Sequence, residues 1–299
     1  MPAVSSFMRL LALTWILLCA CGAQSGPAAP VRAERIEPTA EPSDPELDAP
    51  PVCGVGRDDS PERTSAARAC ADGNGAECAA LGLLLGYGEA GPRDLTGSRC
   101  AHLRACDLDV MHSCTIASAY FTEGMGGPPD GVRARALAER ACASGEEEAP
   151  CAILASALVD GRGGPADRDR GRELFRQGCE RSAYPMSCYG WARFLFEGDG
   201  VPQDVVRARE LFEQTCAEED LEGCTALGAV LLVGRGGPAD PERGRQLLDW
   251  ACEQGLGFAC HSLGAAFRDG RGLDRDPTEA RRHFERGCAL GDARSCEAR

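Results

Sequence analysis

Val205 to Leu232, VVRARELFEQTCAEEDLEGCTALGAVLL, reads as two short amphipathic helices held together by Cys216 and Cys224. Ala208, Leu211, Phe212 and Thr215 recur at helical spacing and form the buried stripe of the first helix. Near-copies of this stretch recur from about residue 57 to the C-terminus. The first cysteines, Cys70, Cys106, Cys142, Cys179, Cys216, Cys252 and Cys288, are 36, 36, 37, 37, 36 and 36 residues apart. Each is followed eight or nine residues later by a second: Cys78, Cys114, Cys151, Cys188, Cys224, Cys260 and Cys296. A fixed period in this range denotes an array of supersecondary units, which needs no single deep core. Nothing alternates with period two, so no sheet is expected.

An aspartate stands twelve residues before every first cysteine: Asp58, Asp94, Asp130, Asp167, Asp204, Asp240 and Asp276. Aspartate at the start of an apolar-periodic run is a preferred helix N-cap. Loops such as GRGGPAD (161–167 and 234–240) precede it and break one repeat from the next. Helix A therefore runs from the aspartate to about the first cysteine. Helix B starts near the second and carries small and apolar residues, with Gly228 and Gly264 permitting close helix approach. A cysteine pair at this spacing joins the end of helix A to the start of helix B, where an antiparallel turn brings the backbones within bridging reach. The spacing lacks the two-residue gap of zinc sites, and no CxxCH haem site is present, so neither metal nor cofactor is expected. The expected fold class is all-α, an α/α superhelical solenoid of seven disulfide-stapled helix pairs. Cys53 and Cys100 remain over, and by elimination they would bridge the N-terminal cap to helix A of the second unit.

Residues 1–20 read as an export signal: Arg9, then the apolar run Leu10 to Leu18, too short to span a bilayer. Leu18-Cys19-Ala20-Cys21 resembles a bacterial lipobox, which implies cleavage after Ala20 and lipidation of Cys21; an ordinary secretory signal with two incidental cysteines is the alternative. Residues 21–52 shift to Pro, Ala and Glu and read as a tether between lipid anchor and domain. Residues 53–299 form the repeat array. The chain is expected in the bacterial cell envelope, outer membrane or periplasm rather than freely secreted.

A formal charge of -14 and a pI near 4.8 argue against nucleic-acid binding. The sequence contains no lysine. Serine β-lactamase chemistry needs lysine-bearing motifs, so neither of them can exist here. GxSxG and HExxH are also missing. Gly86-Tyr87-Gly88-Glu89-Ala90-Gly91 spells GxGxxG but follows a helix, where a nucleotide loop would follow a strand. His102, His112, His261 and His283 share no spacing and read as packing or surface residues.

Paired helices of about 36 residues, the Thr225-Ala226-Leu227-Gly228 run in helix B, the G-x-G loop with a following aspartate and the two cysteines together resemble the SEL-one-like repeats (SLR), relatives of tetratricopeptide repeats. More narrowly, the chain resembles the secreted, disulfide-stapled Hcp-type cysteine-rich proteins. The resemblance covers about residues 57 to 299 and departs in the last unit, where helix B is short. It implies a right-handed superhelix with a concave surface that binds proteins or peptides, and it carries a history of β-lactam binding and weak β-lactam hydrolysis in some members.

One recurrent feature exceeds what folding obviously requires. An arginine stands seven residues before every first cysteine: Arg63, Arg99, Arg135, Arg172, Arg209, Arg245 and Arg281. Stacked units would align them as a ladder of fork-shaped donors on the helix A surface, suited to carboxylates of a partner. The structural alternative is helix-stabilising pairing with the acid four residues on, Glu139, Glu213, Asp249 or Glu285. The expected function is a monomeric, non-enzymatic, lipid-anchored scaffold for a protein or peptide partner. A β-lactam- or cell-wall-fragment-binding protein with weak β-lactamase activity is the alternative.

Overall fold

The computed structural model describes Cys53 and residues 60–299. The export segment, the lipidation site Cys21, the tether and Asp58 lie outside the described residues. Seven helix pairs follow one another: α1 (Pro61–Ala71) with α2 (Gly75–Tyr87), α3 (Leu95–Asp107) with α4 (Met111–Glu123), α5 (Gly131–Ser144) with α6 (Ala149–Asp160), and α7 (Arg168–Ser182) with α8 (Pro185–Glu197). After them come α9 (Val205–Ala217) with α10 (Leu221–Val233), α11 (Pro241–Glu253) with α12 (Gly257–Asp269), and α13 (Pro277–Ala289) with the short α14 (Ala293–Ala298). The described residues contain no strand, and none of their helices is long and apolar enough to cross a membrane. The all-α solenoid expected from the period is the fold observed.

The recurrent aspartate both ends one pair and starts the next. Asp94, Asp130, Asp167, Asp204, Asp240 and Asp276 cap α3, α5, α7, α9, α11 and α13 by accepting backbone N–H groups of the first turn. α1 is capped by Ser60 instead. Each of the six aspartates also donates its own N–H, at 2.8–3.0 Å, to a carbonyl near the end of the preceding even helix, as Asp167 does to Leu158 and Asp240 to Leu231. The loop is thereby closed at fixed length, and every unit inherits the same geometry.

Within a pair, a tight turn reverses the chain and a disulfide crosses it. Bonds join Cys70–Cys78, Cys106–Cys114, Cys142–Cys151, Cys179–Cys188, Cys216–Cys224, Cys252–Cys260 and Cys288–Cys296, with Cα atoms 4.4–4.8 Å apart. In the chain-entropy view, loops this short contribute about 2.5 kcal/mol each. Cys53 is bonded to Cys100 of α3. The turn needs one left-handed residue. Glycine supplies it at Gly73, Gly145, Gly255 and Gly291, but Asp109, Ala183 and Glu219 occupy it in the other units, at φ 63°, 53° and 60°.

Each even helix packs against the odd helix that follows it, and small residues set the distance. A Cβ on Gly228 would stand 2.8 Å from Leu248 Cγ, and one on Gly264 2.8 Å from the Phe284 ring. Leu248 and Phe284 are buried in those contacts, each contributing about 1.5–3 kcal/mol by leaving water. Small glycines on helix B thus let large side chains of the next helix A seal the joint between repeats.

Candidate functional site

The seven arginines are largely engaged by the fold. Arg63, 1% exposed, donates from Nε to the Glu89 carbonyl and from Nη2 to the Leu84 carbonyl. Arg99, Arg135 and Arg209 donate to the carbonyls of Pro128, Pro165 and Pro238, each in the loop that leaves the arginine's own repeat. Arg172 lies against Gly200 of the corresponding loop and pairs with Asp169 at 2.7 Å. The glycines of these loops make room for the guanidinium groups. In the 161–167 loop, Gly163 adopts φ +75°, and a Cβ there would collide with the Gly131 carbonyl at the start of α5. Arg245 pairs with Asp249 and Glu242 on its own helix, and Arg281 is exposed. The acids four residues on are only partly used. Glu213 lies 3.8 Å from Arg209, whereas Glu139 pairs with Arg170 of the next repeat at 3.0 Å. These arginines act mainly on the loops that connect repeats, a role that spacing along one helix does not reveal.

Two adjoining cavities run along the even helices and reach onto the odd helices α5 and α7. One cavity of about 430 Å³ is walled by α4, α5 and α6, and a second of about 170 Å³ by α6, α7, α8 and the start of α10. They adjoin at Ser156 and Met186, forming a trough across four repeats. Of the seven arginines, only Arg135 reaches its lining. Met186, 43% exposed, stands at the junction. Several of the even-helix residues that line it recur at the same places counted from the second cysteine. Two before it are Met186 and Glu222; five after it are Ala119, Ser156 and Arg193; nine after it are Glu123, Asp160 and Glu197. The first two positions change chemistry from unit to unit, whereas the third is acidic in all three units named and the cysteine positions are constant. That contrast inside one sequence is the signal that could have located the trough.

Charge in the trough is unbalanced. Arg162 donates to Ser156 and pairs with Asp160, Arg168 is bound to Asp199, and Arg193 lies 3.8 Å from Glu197. Asp220 caps α10 through one oxygen, accepting from Gly223 at 2.7 Å, and burial pushes its carboxyl above the usual aspartate range. Glu123 and Glu222 have no cationic partner among the described residues, and Arg135, on the same cavity as Glu123, is held by the Pro165 carbonyl and by no carboxylate. Tyr189 is held above the ordinary phenol value by burial and, beyond that, by Glu222, Asp220 and Glu197 against the pull of Arg193. Such a surface can receive apolar side chains at its middle and cations at its ends.

The Sel1 repeat profile matches residues 116–146, 151–182, 185–220, 221–256 and 257–292, more than half of the chain. The chain belongs to the Sel1 repeat family. Matched Sel1 units begin at an even helix and end with the following odd one, as α8 with α9, so the Sel1 frame is shifted by one helix from the cysteine frame. A Sel1 repeat protein from Oxalobacter formigenes is similar at 16% identity and TM-score 0.61, over 77% of this chain and 97% of that one. A protective antigen, c5321, of uropathogenic Escherichia coli strains, displaying an SLR fold, is similar at 21% identity and TM-score 0.57. That similarity covers 81% of this chain but only half the length of the antigen. Curated proteins yield no match. Sel1 repeats are a scaffold for protein–protein interaction.

The remaining polar groups serve the Sel1 core. His102 and Ser113 share a hydrogen bond at 3.3 Å but are 1% and 0% exposed, so no substrate reaches them. Burial, with His112 nearby, lowers the His102 ring to about 4. His283 is buried and stacks on Phe267 with centroids 5.7 Å apart; burial lowers it too, as it does His261. His112 is exposed beside Glu147. No group of histidines, cysteines and acids among the described residues is arranged to hold a metal. The GxGxxG segment occupies the end of α2 and the loop after it, where Gly91 faces the Arg63 guanidinium.

Proposed function

We propose that this Sel1 repeat protein is an exported, lipid-anchored scaffold of the bacterial cell envelope, which binds a protein or peptide segment in the even-helix trough and performs no chemistry of its own. The observation that carries the reading is the continuous trough with Met186 exposed at its middle. An apolar concavity with polar groups at its rim and a large apolar side chain open to water inside it fits a docking groove. Export is supported by eight disulfides among the described residues, a density that belongs to oxidising compartments. The lipobox-like Leu18 to Cys21 supports an anchor at Cys21. Oxidised mature protein is expected to retain a specific protein or peptide from envelope extract that the Met186→Glu variant loses. Equal capture by both would reject the trough. Labelled palmitate should enter the parent chain but not Cys21→Ser, and label in both variants would reject the anchor. A chromogenic β-lactam should remain intact with the purified protein; turnover would reinstate the hydrolase reading.

A further inference from the structure

Two of the trough's carboxylates lack a cation, and they stand at opposite ends. Glu123 closes the α4 end. Glu222, beside the capping Asp220, closes the α10 end. Between them lie the apolar walls of α5 and α6 and the exposed Met186. α6 touches α8 and α8 touches α10, while α4 and α6 wall one cavity; with packed helix axes about 10 Å apart, α4 to α10 spans roughly 30 Å. An extended peptide covers that distance with roughly nine residues.

On the reading of the trough as a peptide groove, we propose that its ligand is a basic–apolar–basic segment: an extended peptide with a bulky apolar side chain against Met186, flanked by lysine or arginine residues that meet Glu123 at one end and Glu222 with Asp220 at the other. Charge complementarity also removes the competing occupants. A second copy carries the same net charge of -14. The chain's own residues 22–51 hold Glu34, Glu37, Glu41, Asp44, Glu46 and Asp48 against Arg32 and Arg35, so they are repelled from both ends.

The test uses oxidised full-length mature protein and three labelled twelve-residue probes: a lysine-flanked leucine peptide and the same peptide with glutamine or glutamate for lysine. The lysine probe is expected to bind at least about tenfold more tightly than the glutamate probe near physiological salt, with the glutamine probe between them. Glu222→Gln should shrink that preference. Met186→Glu should weaken the lysine probe despite adding a negative charge, whereas unspecific attraction predicts the reverse. The protein has no lysine side chain to compete, so with N-acetylated probes carbodiimide joins its carboxylates chiefly to the lysine side chains of the probe, and the adducts should fall on Glu123 and Glu222. Equal binding of the three probes, lost in Met186→Glu, overturns the charge rule and leaves the groove standing. Probes that bind Met186→Glu as well as the parent, with adducts scattered over odd helices, overturn both. A concentration-dependent dimer abolished by Met186→Glu gives the trough to a second copy and overturns the proposal.

Discussion

His102 shows how one side chain couples this fold to pH. Its ring is sealed between α2 and α4 with Ser113 as hydrogen-bond partner, and burial holds it at about 4 against 6.5 for an exposed histidine. The unfolded chain therefore binds a proton between those values that the folded chain refuses. Its contribution is complete above pH 6.5 and falls as pH drops through that value towards 4, by about 3 kcal/mol. Urea unfolding across this window should show the slope, and His102→Leu should flatten it; an unchanged slope would mean other groups carry it. Arg209 couples a helix to the loop that leaves its repeat. Its Nη1 holds the Pro238 carbonyl, so Arg209→Gln should destabilise by about 1 kcal/mol and speed hydrogen exchange in residues 234–240 first. The aspartate caps were legible because capping is local: the residue and the N–H groups it accepts are neighbours in sequence. The arginine contacts were not, because each guanidinium reaches a loop about thirty residues away.

At the level of the helix pair, the disulfide and the turn it crosses are separable. Four of the seven turns place glycine at the left-handed position, but α7 and α8 are joined through Ala183 at φ 53°. A side chain there costs roughly 1 kcal/mol relative to glycine, less the entropy glycine loses on folding. Ala183→Gly is expected to raise the midpoint of thermal unfolding slightly under oxidising conditions, and a fall would show that the Ala183 side chain packs usefully. Helix order and helix ends were readable because capping, breakers and cysteines recur seven times over. Which face of helix B meets solvent was not. That depends on how successive pairs rotate, and the rotation follows from contacts such as Gly228 against Leu248, which join residues of different repeats.

Across the whole array, repetition separates what builds the molecule from what gives it an individual surface. Positions that repeat unchanged cap and staple. Positions that repeat in place but vary in chemistry, such as Met186 and Glu222 or Ala119, Ser156 and Arg193, line the trough. The arginine ladder sits on odd helices and is held by loop carbonyls at four rungs. On the proposed function, recognition falls to the trough along the even helices. Carboxyl footprinting of the mature protein, alone and saturated with its captured partner, tests this most directly. The partner is expected to shield Glu123, Glu197 and Glu222 in the trough while Glu213 and Glu285, on the odd helices that carry Arg209 and Arg281, keep their labelling. Shielding of Glu213 and Glu285 with the trough carboxylates still reactive would contradict it and return recognition to the arginine edge.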